Sequence, residues 1–467
     1  MIKWRALFNA RHAMPAILSD TPRNPCAEAA THCRDTGSPD RDDQGASQLL
    51  SDYSGAAFVF VSPTTSVMAS AFAPDLQATD VLQAVDANRE RNASDVLRAV
   101  NTLFERARHA GIAQPLLVGA VPFDVTQAPR LSIARQCRRT PRALANATAG
   151  ASMPMQGAAP VQDAARAHHP EQAEDAVPPP NAGQVVSQTP QPAPAVFEAA
   201  VREALAHFEQ GGLGKVVLSR TLKLALHDPL HLPSLMASLL AKNTHGYTYA
   251  VPLGRPGEVF LGASPELLVR RVGNRVMLNP LAGSAARRSD AREDQAAGQA
   301  LMESDKDLKE HAIVIDAIAS VLRPLCRTLN VPTRPSLVAT DALWHLSTHI
   351  EGELIDPATT SLDLAFALHP TPAVCGYPTE LARQAINRLE PFDRGFFAGF
   401  VGWMDAAGDG EWAVSLRCAT CGPNEATLYA GAGIVPGSVP QRETAETQTK
   451  FRTMLSALGL GQSIEQR

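Results

Sequence analysis

The 467-residue chain is poor in aromatic residues and poor in lysine. Aromatic residues make up 5% of it, and 35 of its 42 basic residues are arginines, which leaves seven lysines. Acidic residues slightly outnumber basic ones, and the formal charge is −5. This balance argues against a general nucleic-acid-binding protein or a polybasic membrane-surface protein, although it allows a local basic pocket.

Long apolar runs are also absent. No run reaches the ~18 apolar residues of a membrane span. Charged and polar side chains interrupt the first 19 residues, which therefore lack the apolar region of a signal peptide. We expect a cytoplasmic protein that binds neither membranes nor nucleic acid.

The seven cysteines are odd in number and scattered, which makes a poor disulfide framework for a chain of this length. Cys418 and Cys421 have C-x-x-C spacing, but no second pair accompanies them and they follow a strand-like run. The pattern favours ordinary structural cysteines over a redox or zinc site.

Two stretches have compositions that cannot supply a hydrophobic core. Residues 1–50 are polar and rich in Asp, Arg and Ser, and we predict a disordered N-terminal extension there. Residues 153–195 are rich in Ala, Pro and Gln, and no aromatic residue occurs from Val125 to Val196. We predict a surface insertion at about 140–196.

The remainder alternates apolar runs with turn-forming residues. The runs predicted as strands are 55–61, 215–219, 248–253, 258–261, 266–272, 275–281, 396–404, 412–417 and 426–429. Gly273-Asn274 predicts a hairpin between two of them. Residues 79–110 have helical spacing, and residues 291–322 predict one long amphipathic helix. Hairpins mixed with helices favour an α+β fold.

Lys215 and Glu266 are candidates for acid–base chemistry. Lys215 begins an apolar strand after a glycine run, in a chain that usually uses arginine; unlike arginine, a desolvated lysine can give up its proton near neutral pH. Glu266 has apolar neighbours, and burial would suit its carboxyl to general-acid work. From these residues alone, a solvent-reaching lysine and an exposed edge-strand glutamate are the favoured alternatives.

Charged residues near Glu310 and near the C-terminus form a second group of candidates. Glu310 ends a charged stretch and precedes an apolar one, while Glu443 and Glu446 lie three residues apart on a predicted helix. Carboxylates from two helices are a usual arrangement for Mg²⁺, which keeps waters and takes substrate oxygens. Helix capping is the alternative for Glu443 and Glu446. The small residues around Gly431, with Arg417 and Lys450, could hold an anion.

Taken together and in order, these segments resemble the chorismate-utilising enzymes, a family that includes isochorismate synthases, salicylate synthases and the large subunit of anthranilate synthase. The resemblance covers about residues 197–462 and is closest to the isochorismate synthases. The segments that carry it are KVVLSR (215–220), GASPELLVR (262–270), PLAGSA (280–285), DKDLKEH (305–311), LWHLST (343–348), HPTPAVCGYP (369–378), EPFDRGFFAGFVGW (390–403), YAGAGIVPGS (429–438) and RETAET (442–447).

The resemblance implies an α+β fold of the anthranilate synthase component I type, with two packed antiparallel sheets surrounded by helices. Residues 51–467 would then form one domain interrupted by the insertion. Members that use water carry lysine at the position of Lys215, where ammonia-using members typically have glutamine. Ala282 stands where aminodeoxychorismate synthases typically have a nucleophilic lysine, and Ala373-Val374 resembles the Ala-Leu pair of isochorismate synthases.

The implied reaction is a reversible, Mg²⁺-dependent conversion of chorismate to isochorismate, an isomerisation in which water attacks ring carbon 2 and the hydroxyl on carbon 4 leaves. Lys215 would act as the base and Glu266 as the acid. The implied ligands of the metal are Glu310 and Glu446, with Glu443 in support. The implied substrate-binding residues are Gly283, His345, Ala373, Arg417, Gly431 and Lys450.

The resemblance leaves several alternatives open. A salicylate synthase shares Lys215 and Glu266 and would also eliminate pyruvate, and a menaquinone-pathway isochorismate synthase would share the whole site. A catalytically silent scaffold of this fold would lack the acid, the base or the metal glutamates, and this chain keeps all of them. We expect a monomer in siderophore (salicylate or 2,3-dihydroxybenzoate) biosynthesis that passes its product to a separate lyase or isochorismatase.

Overall fold

Apolar runs of the sequence form strands that pair antiparallel wherever they meet. The structure, a computed structural model, describes residues 53, 55–83, 91–142 and 185–460, all within one compact unit, Ser38–Arg467. The predicted extension at 1–50 and residues 143–184 of the predicted insertion lie outside the described residues. No helix in the described ranges is long and apolar enough to cross a membrane.

The strands and helices are numbered here in chain order. The strands are β1 (Phe58–Val61), β2 (Thr65–Gln77), β3 (Leu116–Val121), β4 (Arg130–Pro141), β5 (Val185–Gln191), β6 (Lys215–Leu226), β7 (Tyr247–Pro252), β8 (Val259–Ser264), β9 (Leu267–Val272), β10 (Arg275–Asn279), β11 (Leu281–Ala286), β12 (Cys326–Asn330), β13 (Ser336–Ala339), β14 (Leu343–Ser347), β15 (Ile350–Leu354), β16 (Gly376–Tyr377), β17 (Phe400–Asp405), β18 (Gly410–Val414), β19 (Cys418–Cys421) and β20 (Glu425–Ile434). The helices are α1 (Ala78–Gln83), α2 (Ala93–His109), α3 (Pro194–Glu209), α4 (Leu232–Lys242), α5 (Ala291–Glu303), α6 (Asp305–Leu322), α7 (Ser361–Leu368), α8 (Thr379–Leu389) and α9 (Pro440–Ala457).

Two halves of one hydrogen-bonded succession of strands pack against each other. The succession runs β5-β6-β20-β19-β8-β7-β1-β2-β4-β3-β17-β18-β9-β10-β15-β12, and β16 adds to β6. Phe260 on β8 contacts Phe396, next to β17, with ring centroids 5.6 Å apart, and one buried cluster draws on both halves. Strands β11, β14 and β13 form a small separate sheet. The predicted α+β fold with antiparallel sheets and surrounding helices is confirmed.

Several local predictions are confirmed. The hairpin at Gly273-Asn274 joins β9 to β10, with Val272 paired to Arg275. Cys418 and Cys421 are buried free thiols that belong to two different core clusters, because residues three apart on β19 face opposite sides of the sheet. The structural interpretation of the C-x-x-C pair is therefore correct.

The predicted single helix over 291–322 is wrong. The chain leaves helical geometry at Ser304, whose side chain accepts a hydrogen bond from the Asp307 backbone N–H at 3.3 Å and caps α6. A serine at this position satisfies an otherwise unpaired N–H at a helix start. The apolar stripe continues across Ser304, and the periodicity of apolar residues therefore does not indicate that the helix ends there.

The C-terminal end of the predicted insertion is also corrected. Residues 185–191 pair along β6 as the edge strand β5, and α3 already begins at Pro194. Most side chains of β5 are polar or exposed, and it contains Pro190, which an edge strand tolerates. Such a strand is held by its backbone pairing and leaves no apolar signal in the sequence.

Candidate active site

A polar cavity opens where β6 and β20 meet the turn between β8 and β9, with α6 and α9 alongside. Nine of the eleven predicted site residues line it: Glu266, Gly283, Glu310, His345, Ala373, Arg417, Gly431, Glu446 and Lys450. Lys215 lies fully buried behind Glu310, and Glu443 is buried outside the cavity wall. Residues far apart in the sequence are thus gathered around one space.

Lys215 is the most deeply buried charged group at the site. Its side chain is 0% exposed, and its Nζ lies 2.9 Å from Oε1 of Glu310. Gly433 leaves the room for this pair, since a Cβ there would lie 2.2 Å from the Glu310 Oε1 and 3.3 Å from the Lys215 Cε. The second glycine of the Gly-Ala-Gly run on β20, Gly433, therefore makes space for an ion pair.

Glu266 is a buried carboxyl held in its protonated form. Burial raises its pKa to about 8, an effect opposed by a hydrogen bond from the Leu281 backbone and by the positive charges of Lys215, Arg417 and Lys450. Its backbone carbonyl accepts from Val414 N at 3.1 Å, which fixes the β8–β9 turn against β18. At neutral pH this group can donate a proton into the cavity.

His345 and Arg417 form a second polar wall. Arg417 has a left-handed backbone (φ 48°), and β18 ends at Val414, so the predicted 412–417 strand is shorter at its C-terminal end. One Nη of Arg417 lies 3.5 Å from Nε2 of His345. Burial and the Arg417 charge hold the pKa of His345 well below its usual range, and the ring also bonds to the Gly283 backbone. A neutral imidazole with Nε2 as acceptor results.

Three lysine–glutamate pairs lie at the site: one joins β6 to α6, one joins α6 to α9, and one lies within α9. Besides the pair of Lys215 with Glu310, Lys450 lies 2.6 Å from Glu446 and Lys306 lies 3.2 Å from Glu443. Lys450 also donates to the Gly431 carbonyl at 2.7 Å, so this carbonyl, rather than a free N–H, is what Gly431 contributes here.

Comparison with known proteins decides the family. The sequence pattern described as "Chorismate binding enzyme" matches residues 73–459. The chain belongs to this family. It is 44% identical over 420 residues to isochorismate synthase DhbC of Bacillus subtilis (strain 168), covering 89% of this chain and 96% of that protein. It is 40% identical over 367 residues to the vibriobactin-specific isochorismate synthase of Vibrio cholerae serotype O1, covering 79% and 85%.

A solved structure shares the fold. It comes from Bacillus anthracis and is provisionally described as the 2,3-dihydroxybenzoate-specific isochorismate synthase DhbC. The TM-score is 0.75 at 39% identity, and the match covers 89% of this chain and 100% of that one. The suspected resemblance to the chorismate-utilising family is confirmed, and chorismate is the small molecule that this family binds.

The carboxylates have the donor chemistry that Mg²⁺ prefers, although they are not gathered into a ready-made cage. Burial raises the pKa of Asp307, and the charges of Glu310 and Glu446 add to that rise; burial and the Glu446 charge likewise raise the pKa of Glu443. Within the described ranges, no group of three or more His, Cys, Asp or Glu residues has metal-binding geometry. Glu310 and Glu446 line the cavity together, and Mg²⁺ needs only one or two carboxylates beside water and substrate oxygens.

Sequence reasoning did not select four polar residues that line the cavity, namely Ser284, Lys306, Asp307 and Tyr429. Lys306 lies on the cavity wall and pairs with Glu443, and Ser284 donates to Oε1 of Glu446 at 3.3 Å. The rarity of lysine in this chain, together with the position of Lys306 in the DKDLKEH segment, was a usable signal. Ser284 lies in PLAGSA, and nothing in its type or spacing distinguishes it.

The raised pKa of Glu266 predicts a pH-dependent stability difference for Glu266→Gln. The native state keeps the Glu266 proton up to about pH 8, whereas an unfolded glutamate releases it near 4.5. The stability contribution of this group therefore falls as pH rises through that window. As pH rises from about 4.5 to about 8, we expect the thermal midpoint of the variant to increase relative to that of the wild type. Above this range the difference between the two midpoints should stay constant. Circular dichroism melts measure both midpoints.

Glu380→Gln, at an exposed glutamate, serves as the control and should show no such trend. A difference between Glu266→Gln and the wild type that does not change with pH would contradict the burial argument.

Proposed function

We propose that the chain is an isochorismate synthase that adds water at ring carbon 2 of chorismate and releases the hydroxyl from carbon 4. The observation that carries the proposal is that a protonated, buried Glu266 lines the polar cavity while a buried Lys215 lies behind its wall, 2.9 Å from the cavity residue Glu310. Water is a poor nucleophile and hydroxide a poor leaving group, so both an acid and a base are needed. The similarity to isochorismate synthases over 89% of the chain supports the same reaction.

Glu266 is the proposed general acid. Its proton would go to the departing hydroxyl, and the carboxylate that remains would lie in the field of Lys215, Arg417 and Lys450. These charges stabilise the ionised product of the transfer. The same residue would remove a proton from water in the reverse direction.

Lys215 is the proposed general base for the attacking water. A lysine, unlike an arginine, can give up the proton of its ion pair and then act in its neutral form. Burial of its whole side chain leaves the amine in a fixed position beside Glu310. Lys215 is the first residue of β6, so the position of this base depends on how that strand is held.

The remaining basic groups suit a substrate with two carboxylates. Arg417 presents a planar fork for a bidentate contact, and we assign it to the enolpyruvyl carboxylate. Lys450, beside Gly431, is assigned to the ring carboxylate. His345, Gly283 and Ala373 would complete the walls of the pocket.

We propose Mg²⁺ as the cofactor, held by Glu310 and Glu446 with Glu443 in support. The ion would supply positive charge to the ring carboxylate. Siderophore biosynthesis is the proposed pathway, supported by the similarity to the vibriobactin-specific relative and to the structure described as 2,3-dihydroxybenzoate-specific. The product would then pass to a separate lyase or isochorismatase.

Chromatography of the products tests the proposed reaction. Purified protein with chorismate and Mg²⁺ should give isochorismate, and isochorismate supplied alone should give chorismate, because the reaction is reversible. A sample without protein controls for spontaneous breakdown of chorismate. Formation of salicylate and pyruvate without an added lyase would contradict the proposal and indicate a salicylate synthase.

Lys215→Ala and Glu266→Gln should each lower turnover by at least about 10²-fold, because each removes one partner of the acid–base pair. Initial rates and circular dichroism spectra of the same preparations measure turnover and folding. Lys223→Ala is the matched control, since Lys223 is an exposed lysine on the same strand. Turnover within threefold of the wild type in either site variant would overturn the role assigned to that residue.

Calorimetric titration tests the metal assignment independently of turnover. In a Glu266→Gln background, which should not turn over, Mg²⁺ is titrated into protein with chorismate present. Adding Glu310→Gln or Glu446→Gln should weaken Mg²⁺ binding at least about tenfold, because each removes a proposed carboxylate ligand. Glu425→Gln, at an exposed glutamate on β20, should have no effect. Unchanged affinity in both site variants would exclude this pair as the ligands.

A further inference from the structure

Strand β6, which begins at Lys215, lacks a neighbouring strand along part of one edge. Its other edge pairs with β20 from Val216 to Ala225 without a break. On the incomplete edge, β16 pairs with Lys215 and Val216, and β5 pairs only from Thr221 onward. The backbone between these two pairings lies next to the cavity, since Val217 lines it.

A buried ion pair fills this gap. Glu390 accepts the Ser219 backbone N–H at 2.8 Å, and one Nη of Arg394 donates to the Val217 carbonyl at 2.8 Å. The two side chains are each 3% exposed and bind each other through two contacts, at 2.6 and 2.8 Å. Arg394 provides the donor and Glu390 the acceptor that the backbone of a neighbouring strand would otherwise supply.

Arg394 also reaches the cavity wall that leads into β16, which Val217 N already contacts by donating to the Cys375 carbonyl at 2.8 Å. Its second Nη donates to the Val374 carbonyl at 2.8 Å, and Ala373 and Val374 both line the cavity. The guanidinium stacks on the ring of Phe123, with its carbon 4.4 Å from the ring centroid. One planar group therefore joins the strand of Lys215 to the Ala373–Val374 wall.

We propose that Arg394, oriented by Glu390, is a positioning residue for the reaction proposed above. It fixes the strand that carries Lys215 relative to the wall at Ala373–Val374, and so sets where the substrate ring lies with respect to the base. Arg394 touches neither the cavity nor any reacting atom, and it acts through two backbone carbonyls. The inference rests on the proposed function for its readout.

Only arginine has the geometry for this task. The guanidinium fork makes two carbonyl bonds in different directions and still meets a carboxylate with two N–H groups. Lysine keeps the charge but concentrates its donors at one atom, which cannot span Val217, Val374 and Glu390 at these distances. The groups assigned to the substrate carboxylates, Arg417 and Lys450, lie on other elements. Loss of the Arg394 hydrogen bonds to the Val217 and Val374 carbonyls should therefore lower kcat more than it raises KM.

The experiment compares Arg394→Lys with Arg271→Lys. Arg271 is a matched control because it is 4% exposed, lies 2.7 Å from Asp409 and donates to two backbone carbonyls, of Ala407 and Pro357. None of these partners lines the cavity. Chorismate turnover is measured for the folded fraction of each variant, which thermal melts give at the assay temperature.

We expect Arg394→Lys to lower kcat at least tenfold with KM changed by less than threefold, and Arg271→Lys to keep kcat within twofold. A kcat for Arg394→Lys within twofold of the wild type would overturn the inference, as would an equal loss in Arg271→Lys. If Arg394→Lys does not fold, Glu390→Gln and its control Asp409→Asn replace the pair. Glu390→Gln should then lower kcat at least threefold, and a value within twofold of the wild type would overturn the inference.

These outcomes are separate from the proposed function. A wild-type protein that converts chorismate to isochorismate supports the function whatever the Arg394 variants do. A wild-type protein that does not convert chorismate to isochorismate would contradict the proposed function.

Discussion

The ion pair between Lys215 and Glu310 is the constraint on which the arrangement of the site depends. A fully buried ammonium is costly unless a carboxylate meets it, so β6 and α6 must approach until these two groups lie 2.9 Å apart. That approach requires glycine at position 433 of β20, where any side chain would displace the Glu310 carboxylate. The backbone pairing of β6 with β20 sets the spacing of these strands, and the buried charge on β6 determines how closely α6 approaches them at the cavity.

The charges of the site also explain how an acidic protein can receive a dianion. Each of the glutamates at positions 310, 443 and 446 has a lysine partner, while Glu266 is protonated and His345 is neutral. The paired carboxylates do not repel an incoming anion as bare carboxylates would. A substrate with two negative charges, bound together with a divalent cation, adds no net charge to this region. In the proposed complex with Mg²⁺, an exchange of ion-pair partners, rather than a surplus of positive charge, would allow such a substrate to bind.

Sequence patterns predicted the features that local residues determine. The β9–β10 hairpin follows from Gly273-Asn274. For Glu266, by contrast, the neighbouring residues alone favoured an exposed edge-strand position, and the resemblance to a known family is what indicated a buried acid. The patterns failed where distant parts of the chain decide. Strand β5 is held by pairing with β6 and not by its own apolar side chains, and the left-handed turn at Arg417 depends on contacts with other strands. The motifs indicated most of the cavity residues, but the ion pairs of Lys215 with Glu310 and of Lys306 with Glu443 could be seen only once β6, α6 and α9 were placed in space.

Backbone strain is concentrated at this cavity. Among the described residues with a positive φ that are not glycine, Ala398 and Arg417 line the cavity, and only Ala71 lies elsewhere. Such a conformation costs about 1–3 kcal/mol and persists only if the surroundings enforce it. Here Ala398 N donates to Ser415 O at 2.9 Å, Arg417 O accepts from Ala263 N at 3.1 Å, and Tyr249 donates to the intervening Leu416 carbonyl at 3.2 Å. Because these donors and acceptors come from neighbouring strands or their ends, the sheet holds the backbone at Arg417, and the Arg417 guanidinium lies 3.5 Å from Nε2 of His345. A rigid antiparallel scaffold is thus what allows an unfavourable turn to carry the residue assigned to a substrate carboxylate.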